Sequence, residues 1–210
     1  MEETRPGEYL PVYENERGTY LFNSRDLCMI EYLPELMDAG IDSFKIEGRM
    51  KNALYVASVA RAYRCAIDAC MEDEAAYRIR LDWYREQVSK CTYRKFSTGF
   101  YFGKPGADAH LYDSNAYEGG AVYLGIVESL DGRGLARIEQ KNKFYAGDRI
   151  EIMKPDGTDV CARVERILDE DGQEMASAPH PKQCLYLKLS ALAESGDILR
   201  QPAEKSGQGV

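Results

Sequence analysis

Residues 18–51 read GTYLFNSRDLCMIEYLPELMDAGIDSFKIEGRMK. An apolar run at Tyr20, Leu21 and Phe22 stops at Asn23-Ser24, and a helical stretch follows up to Asp38-Ala39-Gly40. A second alternating run, Ile41, Phe44 and Ile46, ends at Glu47-Gly48-Arg49. The order strand, loop, helix, strand predicts a parallel βα repeat. In parallel α/β architectures the loops at the carboxyl ends of the strands converge side chains on one face, while the helices pack behind. This reading puts Asn23, Arg25, Asp26, Cys28, Glu47 and Arg49 on that face.

Upstream, residues 1–15 carry Pro and Gly punctuation without a period of their own and read as entry from a longer chain. Downstream, Leu54, Val56, Ala57, Val59, Ala60, Tyr63, Ile67 and Cys70 form a wide apolar stripe that predicts a helix over 52–71, closed by Glu72-Asp73-Glu74. A second helix is expected over 75–90, with Tyr77, Leu81, Tyr84 and Val88 on one side and Arg78, Arg80, Arg85 and Lys90 facing water or acids. The aromatic stretch 98–103 fits a strand-like arm. A polar loop through Asn115 to Gly119-Gly120 then marks a domain boundary.

Beyond residue 120 the period becomes two. Runs at 121–128, 134–140, 148–153, 160–168, 184–189 and 197–200 predict six short strands and a small β-barrel. Lys154-Pro155-Asp156-Gly157 is a turn, because Pro presets the first corner and Gly takes the conformation other residues avoid. Phe144-Tyr145-Ala146-Gly147-Asp148 resembles the loop and Gly-Asp turn that feed a barrel strand in the second domain of translation factors. The fold class is therefore α/β plus all-β, divided at 1–72, 73–120 and 121–201, with a polar, Gly-rich, disordered tail over 202–210.

A formal net charge of -8 argues against holding polyanions by bulk charge, although local basic patches remain compatible with it. No stretch approaches the roughly 18 apolar residues of a membrane span. The start Met1-Glu2-Glu3-Thr4 lacks the features of a signal peptide, so the expected location is cytoplasmic, with no membrane partner. In that compartment the 6 cysteines stay reduced, and no CxxC pair of the kind that closes a zinc site occurs.

Taken by its neighbours Leu27 and Met29, Cys28 reads as a small buried hydrophobe. Cys65 and Cys70 are five apart on a helix, one step off a shared face, and Cys91, Cys161 and Cys184 stand apart in strand-like runs where core packing is the default. Glu47 and Arg49 flank a glycine that permits close approach. An Arg–carboxylate brace and a catalytic role are about equally expected of the pair, with Glu47 as general acid or base and Arg49 as a clamp for carboxylate or phosphate. Lys45 carries no assigned role. His110 and His180, the only histidines, lack Cys or Asp at ligand spacing, and neither a His-based triad nor a His-Glu-x-x-His zinc motif is present. Phe100, Tyr101 and Phe102 beside Lys95 and Lys104 suit base stacking, with packing against the rest of the chain as the commoner use of such residues.

The phrases Leu21-Phe-Asn-Ser-Arg-Asp-Leu-Cys28 and Phe44-Lys-Ile-Glu-Gly-Arg-Met-Lys51 resemble the peptidase U32 family of collagenase-like proteases, and the likeness continues through Tyr55-Val-Ala, Ala62-Tyr-Arg and Thr98-Gly-Phe into the β region. The resemblance implies the last βα units of a TIM-like barrel followed by the family's C-terminal barrel. The upstream part of the (β/α)-barrel would then be a partner, and sheet edges left open invite self-association. Several family members are implicated in oxygen-independent hydroxylation of tRNA or rRNA bases or of a quinone precursor, and carry a 4Fe-4S cluster on four cysteines. Cys28 resembles the last of those ligands. By the same resemblance Asn23 and Arg25 would bind substrate, Glu47 and Arg49 would be catalytic, and the other cluster cysteines would lie upstream, so that residues 1–210 alone would hold no cluster. Two further readings are a peptidase, as the family name states, and a non-catalytic module that binds RNA or protein.

Overall fold

The computed structural model describes residues 25–105 and 120–202, with Gly7, residues 13–16 and 18–20. Strands β1 (Tyr13–Asn15) and β2 (Gly18–Tyr20) form an antiparallel hairpin. Strand β3 (Asp26–Leu27) is followed by helices α1 (Leu33–Asp38), α2 (Ala53–Glu72), α3 (Glu74–Ile79) and α4 (Leu81–Ser89), and then by β4 (Phe96–Ser97), which pairs with β3 in parallel.

Helix α2 forms where its stripe predicts. Asn52 caps it by accepting from the Tyr55 amide at 2.9 Å, and Leu54, Ser58, Val59, Arg61, Ala62 and Ala66 are buried. Asp73 ends α2 and caps α3 through the Ala75 amide. The helix expected over 75–90 is divided at Arg80 (φ -96°, ψ 7°), whose guanidinium lies over the rings of Trp83 and Tyr84. The period survives the pause, because Tyr77 and Tyr84 both reach the core and stack at 5.7 Å, which is why the sequence reads as one helix.

Of the βα repeat expected of 18–51, residues 21–24 lie outside the described residues, and the described part does not form it. Tyr20 ends a hairpin strand, the helix is confined to α1, and 41–48 carry no strand, because among the described residues no neighbouring strand takes up their N–H and C=O groups. Among the described residues parallel pairing is confined to β3–β4 and a TIM-like barrel is absent. The arm expected at 98–103 is a pair of turns instead. The inter-domain loop over 106–119, with His110, and the tail over 203–210 lie outside the described residues.

The second region matches its reading closely. Strands β5 (Ala121–Leu130), β6 (Ala136–Glu139), β7 (Phe144–Tyr145), β8 (Arg149–Met153), β9 (Asp159–Leu168), β10 (Glu174–Met175), β11 (Ser177–Ala178), β12 (Cys184–Leu189) and β13 (Ile198–Pro202) include all six expected runs. The antiparallel order β9-β12-β6-β5-β13-β8 closes through a β8–β9 pairing, so these strands form a hydrogen-bonded circuit around Leu124, Val127, Ile138, Ile152, Val164, Leu187 and Leu199. Short strands β7, β10 and β11 escape the sequence reading, because two residues are too few to display a period. At the 154–157 turn, Gly157 takes φ 94° and Asp156 accepts from the Thr158 amide. Of the cysteines expected in cores, Cys91 is buried at the end of α4, Cys184 is half-buried and Cys161 is exposed, since it alternates outward on β9 opposite Ala162.

The helical region and the β circuit meet on Leu54, Tyr123, Met153 and Ile198, and on a buried polar network joining Arg61 and Gln87 to Asp159 and Arg200.

Candidate functional site

A cleft of about 590 Å³ lies between β3, the irregular stretch 41–51 and the Tyr55, Val59 and Tyr63 side of α2. Its floor is held by Asp26, whose Oδ1 accepts from Arg94 Nε and a terminal guanidinium nitrogen at 3.1 and 3.0 Å, while Oδ2 accepts from the Arg94 amide at 2.9 Å. That double engagement fixes β3 against β4 at the point where the parallel pair is only two residues long. Lys51 reaches the same carboxylate at 3.9 Å, donates to the Thr92 carbonyl at 3.0 Å and lies over the Tyr55 ring.

Cys28 follows β3 directly, with its amide bonded to the Ser97 carbonyl at 2.9 Å. Its thiol sits 3.7 Å from the Tyr63 hydroxyl, which also accepts from the Met29 amide at 3.0 Å. A phenol that accepts through its oxygen still has its own proton to give, and the Cys28 sulfur lies within its reach. Burial pushes the Cys28 thiol above its ordinary value, and the Ile30 amide and the Tyr63 hydroxyl partly offset this by favouring the thiolate. Burial likewise raises Tyr63, with the neighbouring Cys28 adding to the effect, so its proton is firmly held.

Cys28, Glu47 and Arg49 all line this cleft. Glu47 and Arg49 form no side-chain ion pair. The Glu47 carboxylate instead accepts from the Arg49 amide at 2.9 Å, closing a small turn around Gly48 and leaving the Arg49 guanidinium exposed. Lys45 lines the cleft too. Arg25 is half-buried and is not among the lining residues, and Asn23 lies outside the described residues. The sequence reading gave no part to Tyr55, Tyr63, Lys51 or Arg94. A signal existed for the two tyrosines, which are eight apart on α2 and stand in the phrases Tyr55-Val-Ala and Ala62-Tyr-Arg.

A four-thiolate cluster needs four converging cysteines. Cys28 suits the part of one ligand, being a soft donor on a cleft with a hydroxyl beside it. Among the described residues no group of three or more His, Cys, Asp or Glu could hold a metal ion, so they do not make a complete site.

The model of peptidase family U32 matches residues 1–111, and that of the peptidase family U32 C-terminal domain matches residues 120–200. The chain belongs to peptidase family U32. Relatives of this U32 chain include tRNA hydroxylation protein P1 of Bacillus subtilis (strain 168), 34% identical over 90% of this chain and 45% of that protein. Another is tRNA hydroxylation protein P of Escherichia coli (strain K12), 34% identical over 97% of this chain and 46% of that protein. A collagenase of Porphyromonas gingivalis (strain ATCC BAA-308 / W83) is 32% identical over 70% of this chain and 36% of that protein. The U32 chain thus spans about half the length, or less, of the curated relatives it matches. Among its described residues no helix is long and apolar enough to cross a membrane.

Proposed function

We propose that this chain is the C-terminal part of a U32 enzyme that hydroxylates a base of tRNA, with the cleft as part of the reaction site and the β region orienting the RNA. The observation that carries the reading is that the Cys28 thiol opens on the same cleft as Glu47 and Arg49. In this proposal the helical region completes a (β/α)-barrel with chain outside residues 1–210. Cys28 gives one thiolate to a 4Fe-4S cluster whose other ligands come from that outside chain, and the cluster, when bound, supplies one-electron chemistry. Glu47 serves as proton donor or acceptor, and Arg49 clamps an anionic group of donor or substrate. Arg25, half-buried and next to Asp26 in sequence, is assigned with Asn23 to substrate contact.

The cleft disfavours the peptidase alternative. A cysteine nucleophile works through a depressed pKa, usually beside a cationic histidine. The Cys28 thiol is shifted upward by burial, and among the described residues no histidine lines the cleft. A metal ion deprotonates a coordinating thiol itself, so an upward-shifted thiol remains compatible with ligation.

The test uses the full-length protein purified without oxygen, with iron and sulfide assayed in the native form and in Cys28→Ala. Loss of iron from the variant is expected, and an unchanged iron content removes Cys28 as a ligand. Nucleoside analysis of tRNA from cells lacking the gene should reveal a missing hydroxylated base. An unaltered tRNA profile overturns the assigned reaction.

A further inference from the structure

The turns after β4 present three consecutive aromatic side chains to solvent. The Thr98 carbonyl accepts from the Tyr101 amide and the Phe100 carbonyl from the Gly103 amide, each at 3.3 Å, while Gly99 and Gly103 take φ 57° and 130°. Phe100, Tyr101 and Phe102 are 78%, 55% and 63% exposed. Exposure of three adjacent aromatics costs free energy in an isolated chain, so such a patch marks a binding surface. The loop is nonetheless braced, since the Phe102 ring rests 4.6 Å from that of Tyr32, and Leu27 packs under Gly99.

Tyr101 lines the cleft, and so do Lys45 and Arg49. Both cations are exposed, and among the described residues no carboxylate stands within ion-pair distance of either. Lys95 and Lys104 flank the loop, also exposed. On a chain with a formal net charge of -8, cations without carboxylate partners gathered beside exposed rings are a local feature. Rings offer a π-face to any base, and cations track phosphates. An apolar protein partner would cover the rings but leave Lys45 and Arg49 without counter-charge.

We propose that Phe100 and Tyr101 form a stacking platform at the mouth of the cleft for an unpaired RNA base, with Lys45 and Arg49 holding the adjoining phosphates. This inference rests on the tRNA reading above and deepens it by moving substrate capture from the β region to the loop beside Cys28.

The experiment is binding of a short, unstructured, fluorescently labelled RNA to the 210-residue chain, followed by anisotropy over a range of salt concentrations. Phe100→Ala and Tyr101→Ala are each expected to weaken binding by about ten-fold without changing its salt dependence. The double variant Lys45→Ala/Arg49→Ala is expected to weaken it and to flatten the salt dependence by roughly one to two phosphate contacts. Heparin, a polyanion without bases, should respond to the second change and not to the first. Absence of RNA binding at low salt, or aromatic variants that bind as the native chain does, overturns the proposal. So does a large fall in melting temperature for Phe100→Ala, which would mark the ring as packed within this chain and not presented to RNA. The anisotropy assay requires no iron, so its failure overturns the platform alone and leaves the iron and tRNA tests of the proposed function standing, whereas an unaltered tRNA profile removes the reading on which the platform rests.

Discussion

Arg61 on α2 donates to Asp159 Oδ1 at 2.9 Å, which joins a helix to the first residue of a strand 98 positions later. Arg200 takes the other oxygen of the same carboxylate at 2.8 Å, and the Gln87 side chain accepts from both guanidiniums at 2.6 and 3.1 Å while donating to Asp159 at 3.0 Å. The Arg200 side chain is fully buried and that of Arg61 nearly so. Burying two guanidiniums is costly, and the cost is met only because nearly every donor is satisfied. Glu151 and Lys90 complete the network on the Arg200 side.

Removing the shared carboxylate leaves the buried Arg61 without a carboxylate partner among the described residues and Arg200 with Glu151 alone. Asp159→Ala should therefore destabilise the chain by about 3–5 kcal/mol, seen as a lowered urea midpoint. Arg61→Met, which leaves Asp159 paired with Arg200, should cost less. Equal midpoints for Asp159→Ala and the native chain would show that the network does not hold the two regions together.

Gly157 closes the turn into β9 at φ 94°, and a methyl group there would meet the Cys65 sulfur at 3.0 Å. Gly157→Ala therefore combines backbone strain with a contact across the two regions, for a loss of about 1–3 kcal/mol. Thermal melts of Gly157→Ala and of Gly157→Ala/Cys65→Ala separate the two effects. If the second change restores nothing, the strain is entirely in the backbone.

Tyr63→Phe removes the hydroxyl that favours the Cys28 thiolate while keeping the ring. The Cys28 thiol should then hold its proton more tightly and react more slowly with iodoacetamide at fixed pH. Mass spectrometry of the modified peptide follows this directly. A rate equal to that of the native chain excludes Tyr63 as the donor to Cys28.

Cys91 is buried, and desolvation lifts its thiol from 9.0 to about 11. The folded state thus keeps a proton that the unfolded chain releases at lower pH. The resulting stability is fully present below pH 9 and is lost as pH rises through about 11. Unfolding midpoints measured from pH 8 to 11 should fall less steeply for Cys91→Ala than for the native chain. Parallel profiles would mean that Cys91 is not protected by burial. At pH 8 the exposed Cys161 should be alkylated well before Cys91.

How far the sequence could be read depended on how local each signal was. Helix α2 and the six longer strands of the β region follow from periods that repeat within a few residues. The turn at Lys154-Pro155-Asp156-Gly157 follows from the conformations open to Pro and Gly. The alternation at Ile41, Phe44 and Ile46 misled for a physical reason: a strand needs a neighbour to satisfy its backbone, and among the described residues none lies beside it. The aromatic stretch at 98–103 has the composition of a strand, but Gly99 and Gly103 turn it outward.

The candidate site divides in the same way. The residue types of Cys28, Glu47 and Arg49, their family resemblance and their place on one face were read from 18–51, whereas the part of Tyr63, Lys51 and Arg94 in the same cleft was not.

By itself, then, the sequence determined the helix α2, the strand content of the β region and membership of family U32, because each is written in short-range pattern or in contiguous motif. Only the tertiary structure decided that the buried Arg61 is paired with Asp159 and that Tyr63, Lys51 and Arg94 join Cys28 and Glu47 at the cleft. A charged or polar residue shows its chemistry in the sequence, but whether it faces water or a partner is set by chain that lies tens of positions away.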